Sequence, residues 1–329
     1  MFFNHNKNKI ITIIIHKNPD GDALGSSLAL MIYFRKLNYN VNLISPTNYS
    51  EYYSWLPGIK NIIVLSDNNK FFVKKKILDS DYIFLVDLNN FSRIGELKEF
   101  IKNSKSKKIL IDHHPYPLNF DIMFHDSNAP ATSILVFRFI SNMNNLSKID
   151  KDIATCLYVG LMTDTGYFRF PSINSETHFI ASILMKKGIN IYKIYNQLQE
   201  NYNENKLKLL SIALKNLKII KKYNIAYTSI RSSDIFYPYQ QGDVDGIINY
   251  GLSIKNITFS VFFFEEKKNY PIKISFRSKG KLDVNLFARK YFSGGGHKNA
   301  AGGIIKKSLS ETIKYFLHII PIFYKNFNF

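Results

Sequence analysis

The stretch Ile10 to Asp22 reads IITIIIHKNPDGD, and its two halves follow different rules. From Ile10 to Ile15 every residue is β-branched and apolar or nearly so, the pattern of a strand buried on both faces. From His16 the chain changes to an imidazole and two carboxylates, Asp20 and Asp22, set among the turn-formers Pro19 and Gly21. A strand covered on both sides belongs to a parallel sheet with helices on each face. The residues following such a strand lie at the edge where α/β sheets build their sites.

Downstream, the same alternation repeats. Ala23 to Leu37 has helical spacing, with Leu24, Leu28, Met31 and Ile32 on one face, and further strands are expected at Val41–Ile44, Ile62–Leu65, Tyr82–Val86 and Lys108–Ile111. Lys151 to Met162 reads as a helix buried on one side, and Ile191 to Leu217 as a polar helical connector. Beyond it the pattern shifts to strands at Ile219–Ile230, Ile257–Phe264 and Ile272–Phe276, with the turn-rich EEKKNYP between the last two, and then to helices at Val284–Tyr291 and Leu309–Leu317. The fold class that follows is α/β: a parallel-sheet domain with helices on both faces and a smaller mixed α/β domain. The boundaries expected are 1–190 for the first domain, 191–216 for the connector and 217–329 for the second.

Length and composition agree with two soluble domains. The chain has 329 residues, 46% hydrophobic and 21% charged, which excludes disordered and fibrous classes. Forty-four Lys and Arg against 25 Asp and Glu leave a net charge of +19, which suits a polyanionic partner, although Lys is plentiful along the whole chain. Cys156 is the single cysteine, so neither a disulfide framework nor a cysteine-rich zinc site is available. The apolar stretches Ile10–Ile15 and Tyr315–Tyr324 are too short to cross a membrane, and the second is broken by His318 and Pro321. A cytoplasmic protein without a membrane partner is expected.

Three expected strands run into residues that bind metals. Ile10–Ile15 leads to His16, Asp20 and Asp22; Tyr82–Val86 leads to Asp87; Lys108–Ile111 leads to Asp112-His113-His114. Asp164 stands at the end of the buried helix, in LMTDTGYFRF. Each motif alone has a plain structural reading: NPDGD as a turn, a strand-end Asp as a helix cap, adjacent histidines as surface residues. Their joint occurrence at the ends of successive elements argues for one site. Carboxylates suit Mn²⁺ and Mg²⁺, and imidazoles shift the preference toward Mn²⁺. Two ions about 3.5–4 Å apart that share a bridging carboxylate are a known apparatus for phosphoryl hydrolysis. In the second domain, SFRSKG (Ser275–Gly280) and GGGHKNAAGG (Gly294–Gly303) place Arg277, His297 and Lys298 near glycines whose N–H groups could approach a phosphate, with Ala300 and Ala301 expected to open a helix against it. Neither a P-loop nor a dinucleotide-binding glycine motif is present.

HKNPDGDALGS, VDLNN, IDHH and TDTG, in that order, resemble the four motifs of the DHH phosphoesterases, and GGGHKNAAGG resembles the signature of their associated DHHA1 domain. The resemblance covers most of the chain and is strongest to the bifunctional oligoribonuclease/pAp phosphatases, the nanoRNases. It implies a DHH catalytic domain, a DHHA1 substrate-binding domain and an active-site cleft between them. It also implies two Mn²⁺ per chain, with Mg²⁺ or Co²⁺ as substitutes: His16 and Asp20 on one ion, Asp22, His113 and Asp164 on the other, and Asp87 bridging both. Asp112 would orient a ligand histidine. His114 would sit by the scissile phosphate to neutralise charge or shuttle a proton. Arg277, His297, Lys298 and the loop Gly294, Gly295, Gly296 would grip the nucleotide.

The activity implied is hydrolysis of very short RNA to nucleoside 5′-monophosphates together with removal of phosphate from 3′-phosphoadenosine 5′-phosphate (pAp). A homodimer is compatible with this reading. A cyclic or linear dinucleotide phosphodiesterase, a single-strand exonuclease of the RecJ type and an inorganic pyrophosphatase are the enzymatic alternatives. A nucleotide- or RNA-binding module with dead chemistry is the alternative of another class, which the complete ligand set disfavours. One departure concerns the segment after Ala131–Ser133: many family members carry an acid there, where this chain has Ile134, leaving the local support of the site in question.

Overall fold

The computed structural model describes residues 9–200, 203–239, 242–268 and 271–327. The chain divides into two compact units, Met1–Asn201 and Tyr202–Phe329.

The first unit is built on a six-stranded sheet of β1 (Ile10–Ile14), β2 (Asn40–Ser45), β3 (Ile62–Val64), β4 (Tyr82–Val86), β5 (Lys107–Asp112) and β6 (Ile122–His125), in the order β3-β2-β1-β4-β5-β6. All five pairings are parallel. Along β1 successive side chains go to opposite faces, so Ile11 and Ile13 enter one core and Ile14 the other. That is why the sequence shows an unbroken apolar run. The first core is closed by α1 (Gly21–Lys36), α4 (Thr132–Asn142), α5 (Lys151–Asp164) and α6 (Ser175–Met185); α2 (Lys70–Leu78) and α3 (Leu97–Lys102) close the second. β6, whose residues are half-exposed, was not anticipated from the sequence.

The expected connector is not one helix. α7 (Ile191–Tyr195) runs into a π-helical turn, Asn196–Glu200, in the first unit, and α8 (Glu204–Lys215) belongs to the second, where Leu209 and Ala213 are buried. Residues 201 and 202, inside the NQLQENYNENK stretch, lie outside the described residues, as do 269 and 270 of EEKKNYP.

The second unit carries a mixed sheet, β11-β12-β10-β9-β8-β7, made of β7 (Lys218–Ile220), β8 (Ile225–Ile230), β9 (Phe259–Phe264), β10 (Ile272–Ser278), β11 (Gly295–His297) and β12 (Ala300–Ile305). Its helices are α8, α9 (Ile247–Ser253), α10 (Val284–Tyr291) and α11 (Leu309–Phe327). Three expectations need correction. The single strand at Ile219–Ile230 is a hairpin, β7 and β8, because Asn224 adopts a left-handed conformation (φ 53°) that turns the chain back. Ala300 and Ala301 begin a strand rather than a helix, since they pair with both β10 and β11. α11 continues through Pro321 to Phe327; the buried Phe316, Ile319, Ile320 and Phe323 hold it against the sheet, which offsets the lost N–H bond.

The most extensive helix contact in the first unit is α1 on α5, and glycine permits it. A Cβ built on Gly25 would stand 2.3 Å from the Cys156 carbonyl oxygen, a main-chain atom that cannot step aside. Gly25→Ala is therefore expected to lower unfolding free energy by an amount at or above the upper end of the overpacking range, about 3 kcal/mol. Urea unfolding of the two proteins measures this, and equal midpoints would show that the helices separate freely.

Candidate metal centre

The strand order places the site. After β1 the chain adds β2 and β3 on one side, then returns to lay β4 on the other, so the loops leaving β1 and β4 part and open a crevice at their carboxyl ends. His16 follows β1, Asp87 follows β4, and Asp112-His113-His114 end and follow β5. Asp20 and Asp22 stand at the start of α1, and Asp164 is the last residue of α5.

Asp87 is the centre of the arrangement. Its Oδ2 lies 3.3 Å from His16 Nε2, and its Oδ1 lies 3.7 Å from His113 Nε2. Asp20 Oδ1 completes the first group at 3.9 Å from His16 Nε2. Asp164 Oδ2 and Asp22 Oδ2 complete the second, 3.2 and 4.0 Å from His113 Nε2. The sequence-derived ligands thus fall into two groups that meet at one carboxylate.

Both histidines are aimed by their other nitrogen. His16 Nδ1 donates to the Lys17 carbonyl at 2.8 Å, and His113 Nδ1 donates to the Ala129 carbonyl at 2.9 Å. In the neutral ring this leaves Nε2 as a lone pair. His16 Nε2 is buried without a hydrogen-bond partner, facing the Asp87 carboxylate. Lone pair opposite lone pair in a buried place fits a cation between them. The donor set, imidazole nitrogen with carboxylate oxygen, suits a divalent transition ion.

The carboxylates are held by helix ends. Asp20 caps α1 through its Oδ1, accepting the N–H groups of Asp22 and Ala23. Asp22, 1% exposed, reaches across to α4 and accepts the N–H of Thr132 at 2.6 Å and of Ser133 at 3.0 Å. The Thr132 hydroxyl donates to Asp87 Oδ1 at 2.8 Å. This answers the question posed by Ile134: the residue is buried in the core, Ala131 gives α4 no side-chain cap, and Asp22 from another helix supplies the cap instead. Asp87 itself has a left-handed backbone (φ 58°), an uncommon conformation outside glycine that is often found at functional sites.

The electrostatics follow from burial and crowding. Burial first, then the charges of Asp87 and Asp164, push the Asp22 carboxyl well above the usual range. Burial also pushes Asp87 up, but the imidazoles around it, His16 foremost, more than reverse this and hold it well below the usual range. Burial would lower His113, yet Asp164, Asp87 and Asp22 raise it to about 9. Asp112, fully buried, is raised to about 7 by burial and then by Asp87. It accepts the His114 main-chain N–H at 3.1 Å and His114 Nδ1–H at 2.7 Å. His114 is held well below its ordinary value by burial and by Arg93, whose Nη1 donates to His114 Nε2 at 2.9 Å.

Arg93 and Thr132 were not singled out from the sequence. Their side-chain partners, His114 and Asp87, lie 21 and 45 residues away, so no local spacing marks those contacts.

In the second unit Arg277 pairs with Ala300 across β10 and β12, and Ala300 with His297 across β12 and β11. Directly opposed residues share a face, so Arg277 and His297 flank the small Ala300 on one side of the sheet. Gly294 precedes β11, Gly295 and Gly296 lie in it, and exposed Lys298 is in the turn that follows. Gly296 has φ 145° and leaves no space for a Cβ beside the Ala300 carbonyl, so the hairpin requires it on structural grounds as well. The buried Asn285 side chain accepts the Gly296 N–H at 3.0 Å and Arg289 Nε–H at 3.1 Å.

Among the described residues no helix is long and apolar enough to cross a membrane. A model of the N-terminal domain of the DHH family matches residues 10–161, and one of the DHHA1 domain matches residues 222–323. The chain belongs to the DHH/DHHA1 phosphoesterase family. It is 28% identical over 296 residues, 88% of each chain, to a probable bifunctional oligoribonuclease and PAP phosphatase NrnA of Streptococcus mutans. It is 27% identical over 300 residues, 89% of each, to the Bacillus subtilis bifunctional oligoribonuclease and PAP phosphatase NrnA. The crystal structure of an exopolyphosphatase-related protein from Bacteroides fragilis matches with a TM-score of 0.91 and 39% identity, covering 98% of this chain and 94% of that one.

Gly160 tests the packing of the cluster. A Cβ there would stand 2.7 Å from Asp22 Oδ1 and 3.0 Å from Ser133 Cβ. Gly160→Ala is expected to displace Asp22 from α4, lowering Mn²⁺ affinity about 10–100-fold, the range for lost ligand support. Metal titration followed by mass-spectrometric metal analysis reads it, and undiminished uptake would show that Asp22 does not need its seat.

Proposed function

We propose that this chain is a metal-dependent hydrolase that cuts very short oligoribonucleotides to nucleoside 5′-monophosphates and removes a phosphate from pAp. The observation that carries the reading is the placement of Asp87, one oxygen toward His16 and the other toward His113. A single carboxylate shared by two imidazole-carboxylate groups supports a dinuclear site. We assign His16, Asp20 and Asp87 to one Mn²⁺, and Asp22, His113, Asp164 and Asp87 to the other. Bound there, the ions supply Lewis acidity and lower the pKa of water for attack on a phosphoryl group. Asp87 holds the two positions in register, Thr132 and α4 fix the carboxylates, and Asp112 orients His114 beside them.

The first unit supplies the metal-binding side chains and the second the nucleotide grip, through Arg277, His297, Lys298 and the hairpin at Gly294–Gly296. The DHH part is taken as 1–190, with 191–216 as connector and 217–329 as the DHHA1 part. The relatives named for oligoribonuclease and PAP phosphatase activity span nearly the whole chain and support the substrate class. The net charge of +19 suits polyanionic substrates. The stretch NQLQENYNENK alternates acids with amides and is a poor phosphate track for a processive enzyme. A cytoplasmic setting agrees with these substrates.

The test is a Mn²⁺-supplemented assay on RNAs of about 2 to 24 nucleotides, pAp, cyclic di-AMP and pyrophosphate. The kcat/KM value is expected to peak at about two to five nucleotides and to fall for longer RNA, with pAp also cleaved. Asp87→Asn is expected to reduce turnover at least about a hundredfold, about 2.7 kcal/mol of transition-state stabilisation, with the fold retained. Efficiency that holds or rises to the longest RNA would reject the short-substrate reading, and an Asp87→Asn enzyme retaining a tenth of its turnover would reject the shared carboxylate.

Metal binding should also depend on pH. His113 keeps its proton up to about 9, and a bound ion must displace it. Mn²⁺ affinity is therefore expected to rise with pH by about tenfold per unit per displaced proton, levelling off as His113 titrates. Calorimetry between about pH 6.5 and about pH 8.5 at fixed ionic strength measures the slope; a flat profile would remove His113 from the ligand set.

A further inference from the structure

Arg93 stands where three strand-end loops cross. Its main-chain carbonyl accepts the N–H of Lys17, in the loop after β1, at 2.8 Å. Its Nη1 donates to the main-chain carbonyl of Asp87, at the end of β4, at 3.2 Å, and to His114 Nε2, after β5, at 2.9 Å. The loop that carries it is tied down on both sides. Asn90 accepts the Ser92 N–H and caps the short turn Phe91–Ile94, and Asn89 donates to the Pro115 carbonyl at 2.7 Å.

A guanidinium only donates. His114 Nε2 must therefore accept from Arg93, and the ring's proton lies on Nδ1, given to Asp112. Both nitrogens of His114 are spent on neighbours, so the fixed positive charge at this place is the guanidinium. That charge has an unusual pairing. Its two contacts are neutral acceptors, a carbonyl and an imidazole, and among the described residues no carboxylate oxygen lies within the 4.0 Å of an ion pair. Aspartates are abundant in the site, and an arginine with a purely structural duty would gain most from one of them. This half-buried guanidinium feels the Asp112 charge only at a distance, through His114, and its Nε and Nη2 donors form a fork that matches two oxygens of a phosphate.

We propose that Arg93 contacts the phosphoryl oxygens of the bound ester, and that Asp112 and His114 form the strut that aims it. The proposal rests on the phosphoesterase reading and adds to it a phosphate-contacting residue. The charge neutralisation expected of His114 is delivered by the guanidinium that His114 carries.

The test compares Arg93→Gln and Arg93→Lys with the parent protein, using inorganic phosphate and AMP as probes in calorimetry on Mn²⁺-loaded protein and pAp and a diribonucleotide in turnover. Both variants are expected to take up Mn²⁺ as the parent does. Arg93→Gln should bind phosphate at least about tenfold more weakly and turn over at least about a hundredfold more slowly, the scale of losing one preorganised charge. Arg93→Lys should fall between, because an ammonium keeps the charge without the fork. Added guanidinium should partly restore turnover in Arg93→Ala. Parental phosphate binding and turnover in Arg93→Gln would overturn the proposal, and so would a loss of activity that tracks lost Mn²⁺, since the arginine would then serve only the ligands. If Arg93→Gln does not fold, Arg93→Lys decides by the same readouts. A parent protein that hydrolyses none of the esters would sink the phosphoesterase reading instead, and the phosphate-binding comparison would still decide the role of Arg93.

Discussion

The carboxylate of Asp87 is the constraint around which the first unit is arranged. It sits at the point where the strand order reverses, between β1 and β4, so both of its oxygens face side chains from neighbouring loops. Holding it there costs a left-handed backbone and the burial of a charge. The structure offsets both with directed bonds. The Asp87 N–H donates to the Ile111 carbonyl at 3.0 Å, which continues the β4–β5 ladder past the strand end. Its carbonyl is bound by Arg93, its Oδ1 by Thr132, and imidazoles close on either side. The loops after β1, β4 and β5, with β5 itself and α4, thus converge on one residue.

Buried carboxylates repel one another, and this cluster answers the repulsion in two ways. Helix N-termini provide partial positive charge: α1 for Asp20, α4 for Asp22. The remaining repulsion appears as shifted titration, with the Asp22 carboxyl pushed up and a proton retained on His113. A cation bound among these groups would relieve the same repulsion, so the crowding that costs stability favours metal binding. Glycines at 25 and 160 belong to this arrangement. They let α1 and α5 approach until Asp22 can be seated between α5 and the start of α4.

Most of this was legible in the sequence, and the reasons are local. Unbroken β-branched runs forced a two-sided parallel sheet, and a parallel sheet collects the residues that follow its strands. Tyr82–Val86 and Val284–Tyr291 have the ends expected from their patterns. What escaped was non-local or non-repetitive. β6 is four residues with no alternation to detect. Ala300-Ala301 has no intrinsic preference strong enough to resist pairing on both sides. Pro321 is a reliable helix stop only where packing does not intervene, and here four buried apolar side chains do. Arg93 and Thr132 act on partners that the fold, not the sequence, brings near.

The second unit shows that a motif can be shaped by two demands at once. The glycines of GGGHKNAAGG suggest close approach of main chain to a phosphate, yet Gly296 is required because the strand facing it leaves no space for a side chain. Its N–H is already given to Asn285, so that group is not available to a ligand. A ligand at this hairpin would meet the side chains it carries rather than that N–H. Pairing through Ala300 sets Arg277 and His297 on one face with only a methyl group between them. A larger residue at 300 would fill that interval. The glycines fix the register and the alanine clears the space, leaving two long donor side chains about two strand spacings apart, roughly 10 Å. An occupant reaching both would have to be larger than a single phosphate.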